Sequence, residues 1–237
     1  MTAFAHPPHP ASHVKAVELG KESKDPHAIP EFNSQLAFQE PVLYLPPLLS
    51  SLPDHYQLQI PHADPRYPPL VTETRLPDID PASLSLHKAL HHFKPLTPYY
   101  ADTSYDEAFN WSELELPKDE ERDWYCVVFR SRRKSGSDGI SLYEADKLAH
   151  EEAIRNGGLI LYWYGVPNPT TGINLATCIW QSRKHAMAAN SRPHHINAMR
   201  LAANAYDVYG LERYRLRKVQ GESGVSIEPF DGGDVGW

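Results

Sequence analysis

Cysteine is almost missing: the 237 residues hold two, Cys126 and Cys178. Two thiols cannot build the disulfide framework of a small secreted domain. Both sit in apolar stretches, where a free thiol behaves as a small hydrophobe. With no recognisable signal-peptide pattern, a reducing, cytoplasmic setting is expected. No apolar run approaches the ~20 residues that a membrane span needs, so no membrane partner is expected. An excess of positive charge is also missing: 23 Lys and Arg stand against 30 Asp and Glu, for a net charge of −7. That balance disfavours a nucleic-acid surface. Proline is scarce in one half only. Eighteen of the 22 Pro lie in residues 1–117. Proline removes a backbone donor and fixes φ, which excludes a regular helix-and-strand domain from that half.

What is present divides the chain into four parts. Residues 1–30 carry Pro, His, Lys and Ser with little to bury, and are expected to be disordered or loosely attached. Residues 31–119 form a Pro-rich arm. Its apolar positions, among them Val42, Leu43, Tyr44, Leu45 and Leu48, are too many for a free linker. Burying each contributes about 1.5–3 kcal/mol, enough to pin the arm to a core. Asp80-Pro81 reads as a cap and first turn, which predicts a helix over 81–93. A second short helix is expected from Tyr105 to Leu114. Residues 120–220 are the α+β core, and the Gly-rich, acidic stretch 221–237 is expected to be a mobile tail.

The core reads strand, helix, strand, strand, helix, strand. In 124–131, Trp124, Cys126 and Val128 alternate with Tyr125, Val127 and Phe129. Both faces are apolar, as in a central strand. Ser141 and Glu144 form a capping box for a helix that stops at Gly157-Gly158. Strands over 159–164 and 173–180 flank a Pro- and Asn-rich turn, a hairpin signal. Ser182 caps a short helix. Ser191 with Pro193 opens a longer one that places Ile196, Met199, Ala203 and Tyr206 near one face and ends at Gly210. The last strand is expected over 211–219, with Tyr214 and Leu216 inward.

Chemistry is less clearly written. His194 and His195 open a helix, where the positive dipole end lowers an imidazole pKa and favours a neutral base near pH 7. His185 lies one helix earlier. Trp163, Tyr164 and Trp180 sit near strand ends, where aromatics wall pockets. Arg130, Arg132, Arg133 and Lys134 cluster after the first core strand, which fits either a solvated strand end or an anionic ligand. Asp146, Glu151 and Glu152 read as capping and solvated-face residues. No metal-ligand spacing, nucleophile elbow, dinucleotide fingerprint or kinase signature occurs, and no cofactor is expected.

Three resemblances add to this reading. Trp180-Gln-Ser-Arg-Lys-His-Ala-Met-Ala-Ala-Asn190, followed by Pro193-His194-His195, resembles the third strand and second helix of antibiotic-biosynthesis monooxygenase-like proteins. That resemblance covers residues 120–220 only. It implies a ferredoxin-like core of the dimeric α+β barrel type, with substrate held between sheet and helices. Leu45-Pro-Pro-Leu-Leu-Ser-Ser-Leu-Pro53, Leu161-Tyr-Trp-Tyr-Gly165, Asn174-Leu-Ala-Thr-Cys-Ile-Trp180 and Leu211-Glu-Arg-Tyr-Arg-Leu-Arg217 together resemble an uncharacterised family of fungal proteins. This second resemblance covers most of the chain and brings no catalytic residues. Its implied role is in natural-product biosynthesis, for example as a norbornene-forming pericyclase (a Diels–Alderase). Ala202-Ala-Asn-Ala-Tyr206 with Gly210 is similar to the last helix of acyl-CoA N-acetyltransferases, but the Gly-rich pyrophosphate loop of that family is missing.

The expected fold is therefore α+β: a ferredoxin-like βαββαβ core with a long Pro-rich N-terminal arm, pairing through its sheet into a homodimer. The expected function is cofactor-independent cyclisation or isomerisation of a hydrophobic small molecule. Trp163, Tyr164, Trp180, His185 and Tyr206 would bind it, and His194, His195 and Arg130 would polarise it. The alternatives are a cofactor-free monooxygenase, a non-catalytic binding protein and an acetyltransferase.

Overall fold

The computed structural model describes Pro26, His27 and residues 40–48, 79–137 and 139–236. The disorder expected over 1–30, apart from those two residues, and the apolar stretch after Leu48 lie outside the described residues.

The sheet is built from a central strand outward. Strand β2 (Arg122–Arg133) has apolar residues on both faces and pairs on both edges. One neighbour is β4 (Asn174–Trp180), the other β5 (Tyr206–Lys218), both antiparallel. Strand β3 (Leu159–Tyr164) forms the expected hairpin with β4. Edge strands β1 (Val42–Tyr44) and β6 (Val225–Pro229) complete a six-stranded sheet in the order β1-β3-β4-β2-β5-β6. Helix α3 (Gly139–Asn156) connects β2 to β3. Helices α4 (Arg183–Asn190) and α5 (Pro193–Ala205) connect β4 to β5. Without its edge strands the unit is βαββαβ with strand order β3-β4-β2-β5, which is the ferredoxin-like fold.

One sheet face packs against α3 and α4 through Tyr125, Val127, Cys178 and Trp180, and α5 lies against α3. The other is covered by residues 79–116. Helix α1 (Pro81–Ala89) starts where Asp80-Pro81 predicts, with Asp80 accepting the Ser83 N–H at 2.8 Å. A short helix α2 (Tyr105–Ala108) follows. Phe93, Tyr105, Phe109 and Trp111 pack there against Trp124, Val128 and Trp163. Hydrogen bonds lock this layer: Trp124 Nε1 donates to Ser83 Oγ at 2.9 Å, and Tyr105 Oη lies 2.8 Å from Thr177 Oγ1. The face through which a sheet-to-sheet dimer was expected to form is thus filled by the chain itself.

Several boundaries differ from the expectation: α3 starts at Gly139, ahead of the expected Ser141 cap, and α1 and α2 end at Ala89 and Ala108, short of 93 and 114. Helix α5 ends at Ala205, and Tyr206 already pairs with Arg133 of β2. A 12-residue central strand offers a full edge of donors and acceptors, and β5 extends along it, carrying Gly210 inside the strand opposite Arg130. The residue capping α5 is Arg192, not Ser191, whose hydroxyl donates to the Ala188 carbonyl at 2.8 Å. The stretch 221–237, expected to be a mobile tail, supplies β6 and buries Val235 against the helix-side layer. An unpaired β5 edge would leave a row of orphan backbone groups, and β6 satisfies them. Among the described residues no helix is long and apolar enough to cross a membrane.

Candidate functional site

The two helices that span the sheet turn small side chains toward it. Ala149 and Ala153 of α3 and Ala198 and Ala202 of α5 border a cavity of about 460 Å³ between helices and sheet. Its floor is Val127, Phe129, Ala176, Cys178 and Trp180, and its walls include Leu142, Met199 and four tyrosines, Tyr162, Tyr164, Tyr206 and Tyr209. The size suits a small molecule, and the lining is largely apolar with a few convergent polar groups.

The polar groups converge at one wall. The Tyr164 hydroxyl lies 3.0 Å from Asp146 Oδ2 and 2.7 Å from His150 Nε2. His150 Nδ1 lies 2.8 Å from the Asp146 backbone carbonyl, which can only accept, so Nδ1 carries a proton. The phenol oxygen also lies 3.1 Å from Nδ1, so it sits beside both ring nitrogens rather than on the Nε2 axis. The set thus brings a carboxylate, a phenol and an imidazole within hydrogen-bond distance of one another. Desolvation, with the Asp146 charge adding to it, raises the Tyr164 pKa well above the ordinary tyrosine value, so the phenol stays neutral. Tyr162 packs edge-on against His150, with ring centroids 4.0 Å apart.

His195 borders the same cavity. Its backbone N–H donates to Glu152 Oε2 at 3.1 Å, fixing the first turn of α5. Its buried Nδ1 has no hydrogen-bond partner among the described residues. Burial, followed by the neighbouring His150, lowers its pKa to about 4, so the ring is neutral near pH 7. Burial likewise raises Tyr206 to about 12. Cys178 on the floor is pushed up to about 12 by burial, which makes it a poor nucleophile.

Of the residues expected to form a site, the structure brings four to the cavity: Tyr164, Trp180, His195 and Tyr206. Tyr206 arrives from β5 rather than from a helix face. The other four lie elsewhere. Trp163 points to the opposite sheet face, because neighbouring strand residues alternate and Tyr162 and Tyr164 take the cavity side. Arg130 also serves that opposite layer. Its guanidinium pairs with Glu212 and donates to the carbonyls of Ala101 and Thr103, clamping the covering segment to the sheet. His185 is buried beside the helix α4 cap, 2.7 Å from Ser182 Oγ, with its ring packed where a Gly158 side chain would stand. His194 is exposed and does not border the cavity.

Asp146 and His150 were the residues that sequence reasoning missed. Asp146 read as a solvated helix face, and His150 was passed over. The signal was their i, i+4 spacing on α3, which stacks them on one side of the helix. Glu152, also read as solvated, is buried and holds the His195 backbone.

Comparison with known proteins gives a family. UPF0643 protein PB2B2.08 of Schizosaccharomyces pombe is 32% identical over 154 residues, 58% of this chain and 70% of that protein. Two solved structures are similar at a lower level. A Nitrosomonas europaea protein named after the antibiotic biosynthesis monooxygenases aligns over 47% of this chain and 93% of its own, at 15% identity and a TM-score of 0.32. A Fusobacterium nucleatum protein named after monooxygenases aligns over 51% and 53%, at 16% identity and a TM-score of 0.33. At those scores neither carries weight, and the fold assignment rests on the strand order above. A family model described as PB2B2.08-like matches residues 67–229, and the chain belongs to that family.

Proposed function

We propose that this protein is a cofactor-independent enzyme of small-molecule biosynthesis that isomerises or cyclises a hydrophobic substrate, pericyclic ring closure included. The observation that carries this reading is a three-member carboxylate–phenol–imidazole cluster, Asp146–Tyr164–His150, set into the wall of a largely apolar cavity that His195 also borders. Apolar walls exclude water and hold a flexible substrate folded, and such positioning supplies roughly 7–11 kcal/mol when two ends of one molecule must meet. The cluster provides what shape alone does not, a proton path: one member gives a proton to the substrate while another takes one back, which leaves the charge of the site unchanged. Neutral His195 would complete its hydrogen bonding on a substrate carbonyl or hydroxyl and stabilise charge that develops there. A reducing, cytoplasmic setting suits the two buried free thiols and belongs to the same proposal.

Deletion of the gene in the organism that encodes it, followed by metabolite profiling, tests the reading. The expected result is loss of one product and accumulation of a precursor of identical elemental composition. The wild-type gene restores the product, whereas His150→Ala and Tyr164→Phe do not. A precursor that differs from the product by an oxygen atom would replace isomerisation with cofactor-free oxygenation. An unchanged profile would favour a non-catalytic binding protein.

A further inference from the structure

The cavity has a cationic end that the proton path leaves unused. Arg133 closes β2 opposite Tyr206 and borders the cavity. Its Nη2 donates to the Ser137 carbonyl and hydroxyl, both at 3.3 Å, and the guanidinium carbon lies 5.5 Å from the centre of the Tyr143 ring. These contacts orient the guanidinium without neutralising it. Its Nε is buried and has no hydrogen-bond partner among the described residues.

Nearby arginines are treated differently. Arg130 pairs with Glu212, Arg132 with Asp207, and Arg215 and Arg217 with Asp123. Among the described residues no carboxylate pairs with Arg133. A guanidinium at a cavity border with no carboxylate partner is stabilised by a ligand carboxylate through charge-assisted hydrogen bonds to its accessible N–H groups. Tyr206, the β5 partner of Arg133, also borders the cavity.

We propose that Arg133 receives the acidic head group of the substrate, which makes the substrate an amphipathic monocarboxylic acid. The apolar body lies between the α3 and α5 alanines and the sheet, and its reacting segment reaches Asp146, Tyr164 and His150. Among the described residues Arg133 is the one arginine bordering the cavity without a carboxylate partner, and one such cation matches one negative charge, which favours a carboxylate over a phosphate ester. This inference rests on the cavity being a small-molecule site.

A matched pair of fluorescent probes tests it: 1-pyrenebutyric acid and its methyl ester, titrated into the full chain at pH 7. The acid is expected to bind about tenfold tighter than the ester, the size of one charged hydrogen bond. Arg133→Gln removes that preference and leaves ester binding within about twofold, Arg133→Lys keeps part of it, and Arg132→Gln keeps all of it. Equal binding of acid and ester by the wild-type chain overturns the inference while leaving the cavity site intact. A preference that survives in Arg133→Gln also overturns it. If neither probe binds, the cavity reading itself fails, and the assignment of Arg133 fails with it.

Discussion

On one face of the sheet, Trp124, Val128 and Trp163 meet Phe93, Tyr105, Phe109 and Trp111 from residues 79–116, and the layer is solid. On the other face, Val127, Tyr164 and Trp180 meet the alanines of α3 and α5, and a cavity stays open. The strands supply bulky residues to both sides, so the difference comes from what covers them. Aromatics on an irregular segment reach down and interdigitate. Alanines on straight helices stop short, and helix–helix contact between α3 and α5 keeps the backbones from sinking further. A protein interior without a partner atom loses dispersion energy, so the hollow face is less stable than it would be if filled. The irregular side is therefore the packed one, and the regular side keeps space for a ligand.

The largest effect is expected on the solid face. Trp163→Ala should cost about 3–5 kcal/mol in urea unfolding, the range for a large aromatic lost from a packed core. A cost below about 1 kcal/mol would show that the layer is loosely packed and would erase the contrast. Arg130→Ala comes next. It releases Glu212 and the carbonyls of Ala101 and Thr103 together. It should cost about 2–4 kcal/mol, since a half-buried carboxylate loses its partner. Limited proteolysis should then cut first between residues 95 and 104, and cleavage elsewhere would argue against the clamp.

Acid should act on the helix side. Burial lowers both His185 and His195 to about 4 from the ordinary 6.5. In the unfolded chain each takes up a proton near pH 6.5, and in the folded chain only near 4. Their contribution is thus complete above pH 6.5 and is lost as the pH falls toward 4, by about 1–3 kcal/mol each. Thermal melts from pH 7 to 4 should show that decline, and His195→Gln should flatten it. An identical pH profile in the variant would mean that His195 is already solvated. The smallest stability effect is expected from Ala202→Leu, which fills the hollow: a change within about 1 kcal/mol, of either sign, with loss of pyrenebutyric acid binding. Retained binding would place the ligand outside the cavity.

Much of the fold could be read directly. The two-sided alternation in 124–131 marked β2 as central, Asp80-Pro81 marked the start of α1, and Gly157-Gly158 marked the end of α3, where both glycines take positive φ of 83° and 80°. The α5–β5 junction could not be read, because Ala202–Ala205 favours helix, Tyr206 and Val208 favour strand, and only the length of β2 decides where one gives way. The stretch 221–237 looked mobile because its composition is Gly-rich, yet an open sheet edge gave Val225–Pro229 a partner. At the site, Trp163 was chosen for being aromatic and near a strand end, and its one-residue offset from Tyr164 sent it to the wrong side. Asp146 and His150 carry a helical spacing, but Tyr164 joins them from a different element.

By itself, the sequence determined the order of elements, the central strand and the proline boundary between an irregular half and a regular one. These follow from local periodicity and from the fixed geometry of Pro and Gly. Only the tertiary structure decided which sheet face is filled and which is hollow, and so which side chains line the cavity. Alternation along a strand says that neighbouring residues part to opposite faces, but what lies over each face is set by segments distant in the chain, and it is their bulk that closes the space or leaves it open.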